Sequence, residues 1–272
     1  MRNILIPMDF TSVAINALKY GISFFKNAKF TIVHASFTVG KNPELFGSKP
    51  GVSNSDFLQS ELENLILHEL DLKALPENIT IKVEMGDPSE VIRNEAKTNH
   101  YDSIMMGTRD KYSFFDKWIG TISLSLVKTV DTPIYLIPRY AKHQSIKNVI
   151  IASESSTSTK FNLDKIANWN KDHIANLTFL HIKKNENDAL ATEFYQNIKY
   201  YFEKRELDFD FDISEIQGEN VCKSILAKSY NMQADMIMIL PDKQNFLNAL
   251  IINSISKEMI LSSDIPMLFY KS

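Results

Sequence analysis

The chain has 272 residues, of which 44% are hydrophobic and 23% are charged, as is usual for a globular protein. Its net charge of -3 gives no bulk positive field, which argues against a nucleic-acid partner. Cys222 is the only cysteine, which excludes an intramolecular disulfide and a cysteine-rich metal site. Because no apolar run is long enough to cross a membrane or to form a signal-peptide core, we expect no membrane partner and a cytoplasmic location.

The first part of the chain alternates short apolar runs with segments of helical periodicity. Continuous apolar runs are typical of strands buried on both faces of a parallel sheet, and apolar residues at three- and four-residue steps are typical of helices. We predict strands over 3–7, 30–35, 79–83, 103–106 and 133–137. We predict helices after a Thr11 or Ser12 cap, over 56–74, after Pro88 and over 120–129. Glycines and prolines in 38–52 indicate a loop.

The second part of the chain repeats this layout. We predict strands over 148–154, 177–181, 209–216, 234–240 and 267–270, and helices over 189–205 and around 221–226. A short polar turn over 183–187 replaces the long loop of the first part, and Gly218 is the counterpart of Gly86. Asp102 is separated from Pro133 by as many residues as Asp235 from Pro266, so these two segments align without a gap.

The repeat predicts an α/β fold with two tandem, doubly wound, five-stranded parallel-sheet domains. The predicted domains are 1–140 and 146–272, joined by a short polar linker. In such sheets ligands bind beyond the carboxyl ends of the strands, where the strand order reverses. The residues predicted at these ends in the first domain are Asp9, Val33, Gly86 and Gly107.

The loop after the fourth strand differs between the two copies. The first copy has Gly107, Asp110 and Gly120 followed by Thr121, whereas the second has Leu240, Lys243 and Asn253 followed by Ser254 at the aligned positions. A glycine-rich loop lets the backbone approach a phosphate at a helix start. The first domain is therefore predicted to bind a nucleotide, and the second to be degenerate.

Several motifs closely resemble the universal stress protein family in its tandem form. They are ILIPMDF at the first strand, TIVHAS at the second, VEMGDPSEVI at the third strand and its helix, and MMGTRD followed by GT before TPIYLIP. The resemblance implies the fold known as adenine nucleotide alpha hydrolase-like. It also implies pairing through the last strand of each copy, here 133–137 and 266–270, as an intramolecular pseudo-dimer that could itself form a homodimer.

ATP-binding members of this family carry the motif G-x2-G-x9-G-[ST]. The chain matches it at Gly107, Gly120 and Thr121 and departs from it at Asp110, which adds a negative charge where the family has its second glycine. The resemblance implies ATP or a related adenine nucleotide as ligand, with Mg²⁺ arriving with the nucleotide. The predicted contacts are Pro7, Asp9, Val33, Gly86, Met106, Gly107, Arg109, Gly120 and Thr121.

Other interpretations stay open for individual residues. Asp9 is a candidate for a ribose or adenine contact, or alternatively a cap of the next helix. His34 and His181 recur in both copies, which favours a structural use, because a degenerate copy need not keep a catalytic residue. Ser153 and Glu154 are candidates for a second site, but the surrounding loop lacks glycines.

The sequence favours a binding protein over an enzyme. It contains no Walker loop, no G-x-G-x-x-G, no nucleophile elbow and no H-E-x-x-H zinc motif. Slow ATP hydrolysis is the most that these residues would support. The alternative function is a stress-response protein that binds no nucleotide and acts through an unknown protein partner.

Overall fold

The computed structural model describes residues 1–36, 54–108, 119–153, 160–183, 189–217, 220–240 and 258–271. The chain divides into two compact units, Met1–Ala141 and Lys142–Ser272. The predicted loop over 38–52, most of the turn over 183–187, and Gly218 lie outside the described residues.

The first unit contains five strands and four helices in strict alternation. The strands are β1 (Arg2–Pro7), β2 (Ala28–Ser36), β3 (Ile79–Met85), β4 (Ser103–Thr108) and β5 (Ile134–Pro138). The helices are α1 (Ser12–Phe24), α2 (Asn54–Leu70), α3 (Pro88–Thr98) and α4 (Ile119–Thr129). This order agrees with the order predicted from the apolar runs.

Local sequence explains where these elements begin and end. Thr11 caps α1, since its hydroxyl oxygen accepts a hydrogen bond from the Ala14 amide at 3.3 Å. Asp87 caps α3 in the same way, and Pro88 occupies the first helical position, where no amide hydrogen is needed. The helix predicted over 56–74 ends earlier, at Leu70, because Asp71 adopts a left-handed backbone with φ of 53°.

The five strands of the first unit form a parallel sheet in the order β3-β2-β1-β4-β5. The central residues of β1, from Ile4 to Ile6, are fully buried, as expected for a strand covered on both faces. The chain winds outward from β1 to β3 and then returns to place β4 on the other side of β1. The strand order therefore reverses between β1 and β4, and this is the position at which doubly wound sheets bind ligands.

The second unit has the same topology. Its strands are β6 (Asn148–Ser153), β7 (Asn176–Lys183), β8 (Phe211–Gln217), β9 (Met236–Leu240) and β10 (Met267–Phe269). They form a parallel sheet in the order β8-β7-β6-β9-β10. Its helices include α5 (Lys160–Asn170), α6 (Ala189–Glu203) and α7 (Val221–Asn231). The prediction of an α/β fold with two repeated parallel-sheet units is confirmed.

A repeated aspartate holds the amino-terminal edge of each sheet. The Asp102 carboxylate accepts a hydrogen bond from the Asn3 amide at 2.7 Å. In the second unit, the Asp235 carboxylate accepts from the amides of Lys147 at 2.8 Å and Asn148 at 3.0 Å. The two aspartates that align in sequence thus satisfy equivalent backbone donors at the start of β1 and β6.

Helix α5 has no counterpart among the elements predicted from the sequence. Its buried side includes two asparagines, Asn162 and Asn170, which interrupt the apolar periodicity. Asn170 is buried because its side chain both accepts from the Ala175 amide and donates to the Ala175 carbonyl, each at 2.9 Å. A helix that buries such polar side chains lacks the apolar periodicity from which helices are predicted.

Candidate functional site

A cleft opens at the carboxyl ends of β1, β2 and β4, with walls from α1, α3 and α4. It lies at the reversal of strand order described above. The predicted contact residues that line it are Pro7, Asp9, Val33, Met106 and Gly107. These residues are distant in sequence and come from separate strand ends, so the parallel sheet is what brings them together.

Gly107 has a packing role that does not depend on a ligand. A Cβ atom at this position would lie 2.5 Å from Val13 Cγ1 and 2.6 Å from the Val13 carbonyl oxygen. The first turn of α1 therefore contacts the end of β4 only because residue 107 lacks a side chain. In the second unit the aligned residue is Leu240, which is only 2% exposed, so a leucine side chain occupies the equivalent strand end.

The loop between β1 and α1 carries the acidic group of the cleft. The Asp9 carboxylate accepts hydrogen bonds from the Thr11 hydroxyl at 2.5 Å and from the Thr11 amide at 3.2 Å. Thr11, rather than Asp9, caps α1, which settles the capping alternative for Asp9. Asp9 remains exposed at the cleft and is held in place by its neighbour.

His34 lines the cleft beside this loop. Its Nδ1 lies 2.8 Å from the Met8 carbonyl oxygen, and its ring packs edge-on against Phe10 with centroids 4.8 Å apart. Because a carbonyl only accepts, Nδ1 carries the proton in this contact. His181, the repeated histidine, is buried and lies with its ring centroid 6.5 Å from that of Tyr195. The structural use expected for both histidines agrees with these contacts.

The wall opposite the strands is apolar. Ile92 of α3 and Ile122 of α4 line the cleft together with Pro88, and Val33 and Met106 face them from the sheet. A flat aromatic group would be desolvated between these surfaces. Sequence analysis missed Ile92, although its helical spacing with Ala96 already indicated the face of α3 that turns towards the sheet.

Ser123 is a polar residue of the cleft that sequence analysis missed. It lies in α4, is only 4% exposed and lines the cleft. A serine hydroxyl at the wall of a cleft is a group that can donate a hydrogen bond to a ligand. The sequence feature that could have indicated Ser123 is its position in the helix predicted to begin at Gly120 and Thr121.

The remaining predicted contact residues lie outside the lining of the cleft or outside the residues that the structure describes. Gly86 follows β3, donates its amide to the Ser36 carbonyl at 3.0 Å and has φ of 138°, and it does not belong to the lining of the cleft. Residues with a side chain rarely adopt a φ of 138°, so Gly86 has a turn function of its own. Gly120 and Thr121 lie in the first turn of α4, and their side chains are not described. Arg109 lies outside the described residues, as does Asp110.

The described lining carries little charge. Asp9 is its one carboxylate, and neither lysine nor arginine belongs to the part of the lining that the structure describes. Across the described ranges, no group of histidine, cysteine, aspartate and glutamate side chains could hold a metal ion. In the same ranges, no helix has the length and apolar character needed to cross a membrane.

Comparisons with known proteins agree with this architecture. Residues 1–138 match the sequence model of the universal stress protein family. A universal stress protein of Methanocaldococcus jannaschii is 25% identical over 155 residues, which cover 51% of this chain and 95% of the relative.

Solved structures extend the likeness to both units. A universal stress protein of Archaeoglobus fulgidus matches with a TM-score of 0.67 at 18% identity, covering 99% of this chain and 96% of that one. A protein of unknown function from Pseudomonas aeruginosa matches with a TM-score of 0.61 at 8% identity, covering 100% and 92%. At such low identities these similarities concern the fold.

Proposed function

The chain belongs to the universal stress protein family, and we propose that its first unit binds ATP or a related adenine nucleotide as part of a stress response. The observation that carries the proposal is the cleft itself. Pro7, Asp9, Val33, Met106 and Gly107, which were predicted as contacts from family motifs, line a single cleft at the reversal of strand order. That position is where doubly wound sheets bind nucleotides.

The chemistry of the walls supports an adenine nucleotide in a defined orientation. The apolar surfaces of Val33, Ile92 and Met106 would take the base, because a flat ring gains most where water is excluded from both faces. The Asp9 carboxylate would accept a hydrogen bond from a ribose hydroxyl. The phosphates would then lie towards the amino-terminal part of α4, where backbone amides and the helix dipole favour anions. Mg²⁺ would be held mainly by the phosphates.

The second unit is proposed to be a structural partner without a nucleotide. The buried Leu240 takes the place that Gly107 has in the first unit. A leucine side chain fills the space that a nucleotide would need to approach the protein backbone. The sequence also replaces Gly120 by Asn253 at the aligned helix start. One nucleotide site per chain is therefore expected.

Ser123 provides a direct test of the proposed orientation. Ser123→Ala removes a buried donor without adding volume and should weaken ATP binding about three- to tenfold. The matched control is Ser125→Ala, a change of the same kind in the same helix at a residue outside the described lining, and it should leave the dissociation constant unchanged. Calorimetric titration of the full chain measures both. Equal effects of the two substitutions would contradict the placement of the phosphates beside α4.

A second candidate function is favoured by the charges of the site. Asp9 is the only carboxylate of the described lining, and the sequence adds Asp110 at the position of a motif glycine. A like charge near a phosphate would cost on the order of 1 to several kcal/mol. If this cost prevails, the chain is a universal stress protein that acts through a protein partner without a nucleotide. That function is supported if the wild-type chain shows no binding heat at millimolar ATP and Asp110→Gly restores it.

A further inference from the structure

We propose that His34 is a positioning residue: its Nδ1–H hydrogen bond to the Met8 carbonyl and its ring contact with Phe10 hold the 8–11 loop in the shape that presents Asp9 to the cleft. The inference rests on the proposed nucleotide site and adds a residue that acts on it through its neighbours. Its basis is a chain of contacts from β2 to the start of α1.

The first link joins β2 to the residue that follows β1. Pro7 ends β1 in register with Val33, and the Met8 amide donates to the Val33 carbonyl at 2.9 Å. The Met8 carbonyl in turn accepts from His34 Nδ1 at 2.8 Å. Both backbone groups of Met8 are therefore held by adjacent residues of β2, one through the backbone and the other through the imidazole.

The second link is the backbone of Phe10. Its φ of 61° is unusual for a bulky side chain, and it differs from the other non-glycine residues with positive φ because it precedes a helix instead of following one. Such a conformation persists only when the surroundings impose it. The edge-on contact with the His34 ring, at 4.8 Å between centroids, is the surrounding contact that fixes this side chain.

The third link connects Phe10 to the acidic group of the cleft. The left-handed residue turns the chain so that the Thr11 amide and hydroxyl both reach the Asp9 carboxylate, at 3.2 and 2.5 Å. Thr11 then caps α1 through the Ala14 amide. The orientation of Asp9 thus depends on a loop whose other end is fastened by His34.

Two amide substitutions separate this role from simple packing. Asparagine carries its amide nitrogen at the place of Nδ1, whereas glutamine carries it one carbon further out, at the place of Nε2. His34→Asn should keep the bond to Met8 and bind ATP within about threefold of wild type, and His34→Gln should bind about tenfold more weakly. The matched controls are His181→Asn and His181→Gln, which change the repeated histidine and should leave ATP affinity unchanged.

A second readout needs no nucleotide. Amide hydrogen exchange over residues 9–14 of the free protein should speed up about tenfold in His34→Gln and stay near wild type in His34→Asn. If the wild-type chain binds no ATP but exchange follows this pattern, the nucleotide proposal fails and the positioning role stands. Equal exchange in both variants, or equal affinities, would overturn the positioning role.

A double-mutant cycle tests the route through Asp9. If His34 acts by presenting Asp9, then Asp9→Asn and His34→Gln together should change the ATP dissociation constant by less than the product of the two single effects. Independent, multiplicative effects would mean that the two residues act separately and would contradict the proposal.

Discussion

Several helices of this chain are followed, within four residues, by a residue that has a left-handed backbone although it carries a side chain. The residues are Asp71 after α2, His100 after α3, Ile174 after α5 and Gln233 after α7. Glycine is the usual residue at such positions, and a β-branched side chain is the least suited to them. Ile174, with φ of 52°, therefore carries the largest local strain of this group.

Replacing Ile174 by glycine should stabilise the second unit. The side chain is 58% exposed, so little buried surface is lost, while relief of the strained backbone should contribute about 1 kcal/mol. Urea denaturation of the full chain should show a raised midpoint for the second unit. Ile174→Val keeps a β-branched side chain and serves as the control, for which the urea midpoint should not change. A lower midpoint for Ile174→Gly would show that the isoleucine side chain is held by contacts that outweigh the strain.

Gly107 and Gly21 form a contrasting pair of closely packed glycines. At Gly107 a new Cβ would meet backbone, with the Val13 carbonyl oxygen only 2.6 Å away, whereas at Gly21 it would meet the flexible Met105 Sδ at 2.9 Å. Gly107→Ala should therefore cost about 1 to 3 kcal/mol of unfolding free energy. Gly21→Ala should change it by less than about 1 kcal/mol, because alanine also favours the helix interior.

The comparison of these two variants is made by chemical denaturation with the same probe. Similar losses for both would mean that α1 moves away from β4 at little cost, and that Gly107 is not retained for packing. A larger loss for Gly107→Ala would support the close contact of α1 with β4 on which the shape of the cleft depends.

At the scale of elements, a polar cluster joins β3, α3 and the segment between α3 and β4. The Glu95 carboxylate, on a side chain only 10% exposed, lies 2.6 Å from both Lys82 Nζ and the Tyr101 hydroxyl. Burial by itself would raise the pKa of Glu95, but the hydrogen bonds from Lys82 and Tyr101 outweigh it and lower that pKa. Burial and the nearby carboxylate raise the pKa of Tyr101, which stays protonated as a donor.

The lowered pKa of Glu95 predicts how stability depends on pH. A carboxyl group with a lower pKa in the folded state adds stability above its unfolded pKa, about 4.3, and loses it as the pH falls through the folded value. Glu95→Gln should therefore cost about 1.5 to 3 kcal/mol at pH 7 and progressively less in acid. Exposed Glu84 supplies the control Glu84→Gln. A cost that does not change between pH 7 and pH 3 would contradict this ionic role.

Much of the fold was predictable at the scale of elements because parallel strands carry their own signal. The run Ile4–Ile6 is apolar at every residue, and only a strand covered on both faces uses such a run. Helix α5 was missed because Asn162 and Asn170 lie on its buried side, and the polar contacts that bury Asn170 cannot be read from a hydrophobic pattern. Helix ends were also imprecise, since the left-handed turn at Asp71 depends on backbone geometry rather than composition.

The cleft was predictable only in part. Strand ends and a family motif were enough to name Pro7, Asp9 and Gly107, because a parallel sheet gathers its carboxyl ends at one edge. Ser123 was missed because its burial in the cleft depends on how α4 packs. The link from His34 to Asp9 was missed because it runs through the backbone of Met8 and Phe10, whose conformation no residue pattern records.

At the scale of the whole molecule, the chain uses one fold twice and is proposed to use it for two purposes. Both units have the same strand order, and both retain the aspartate that anchors the first strand. They differ where a ligand would lie, with Gly107 in one unit and Leu240 in the other. We therefore propose that both units keep the scaffold and that only the first keeps a nucleotide site.

Native mass spectrometry of the full chain with excess ATP tests this central claim most directly, because it counts the nucleotides on each protein molecule. We predict a saturating mass increase of one nucleotide per chain, lost in the first unit's Gly120→Val and retained in the second unit's aligned Asn253→Val. Two nucleotides per chain would show that the second unit also binds, and none at millimolar ATP would favour the function through a protein partner.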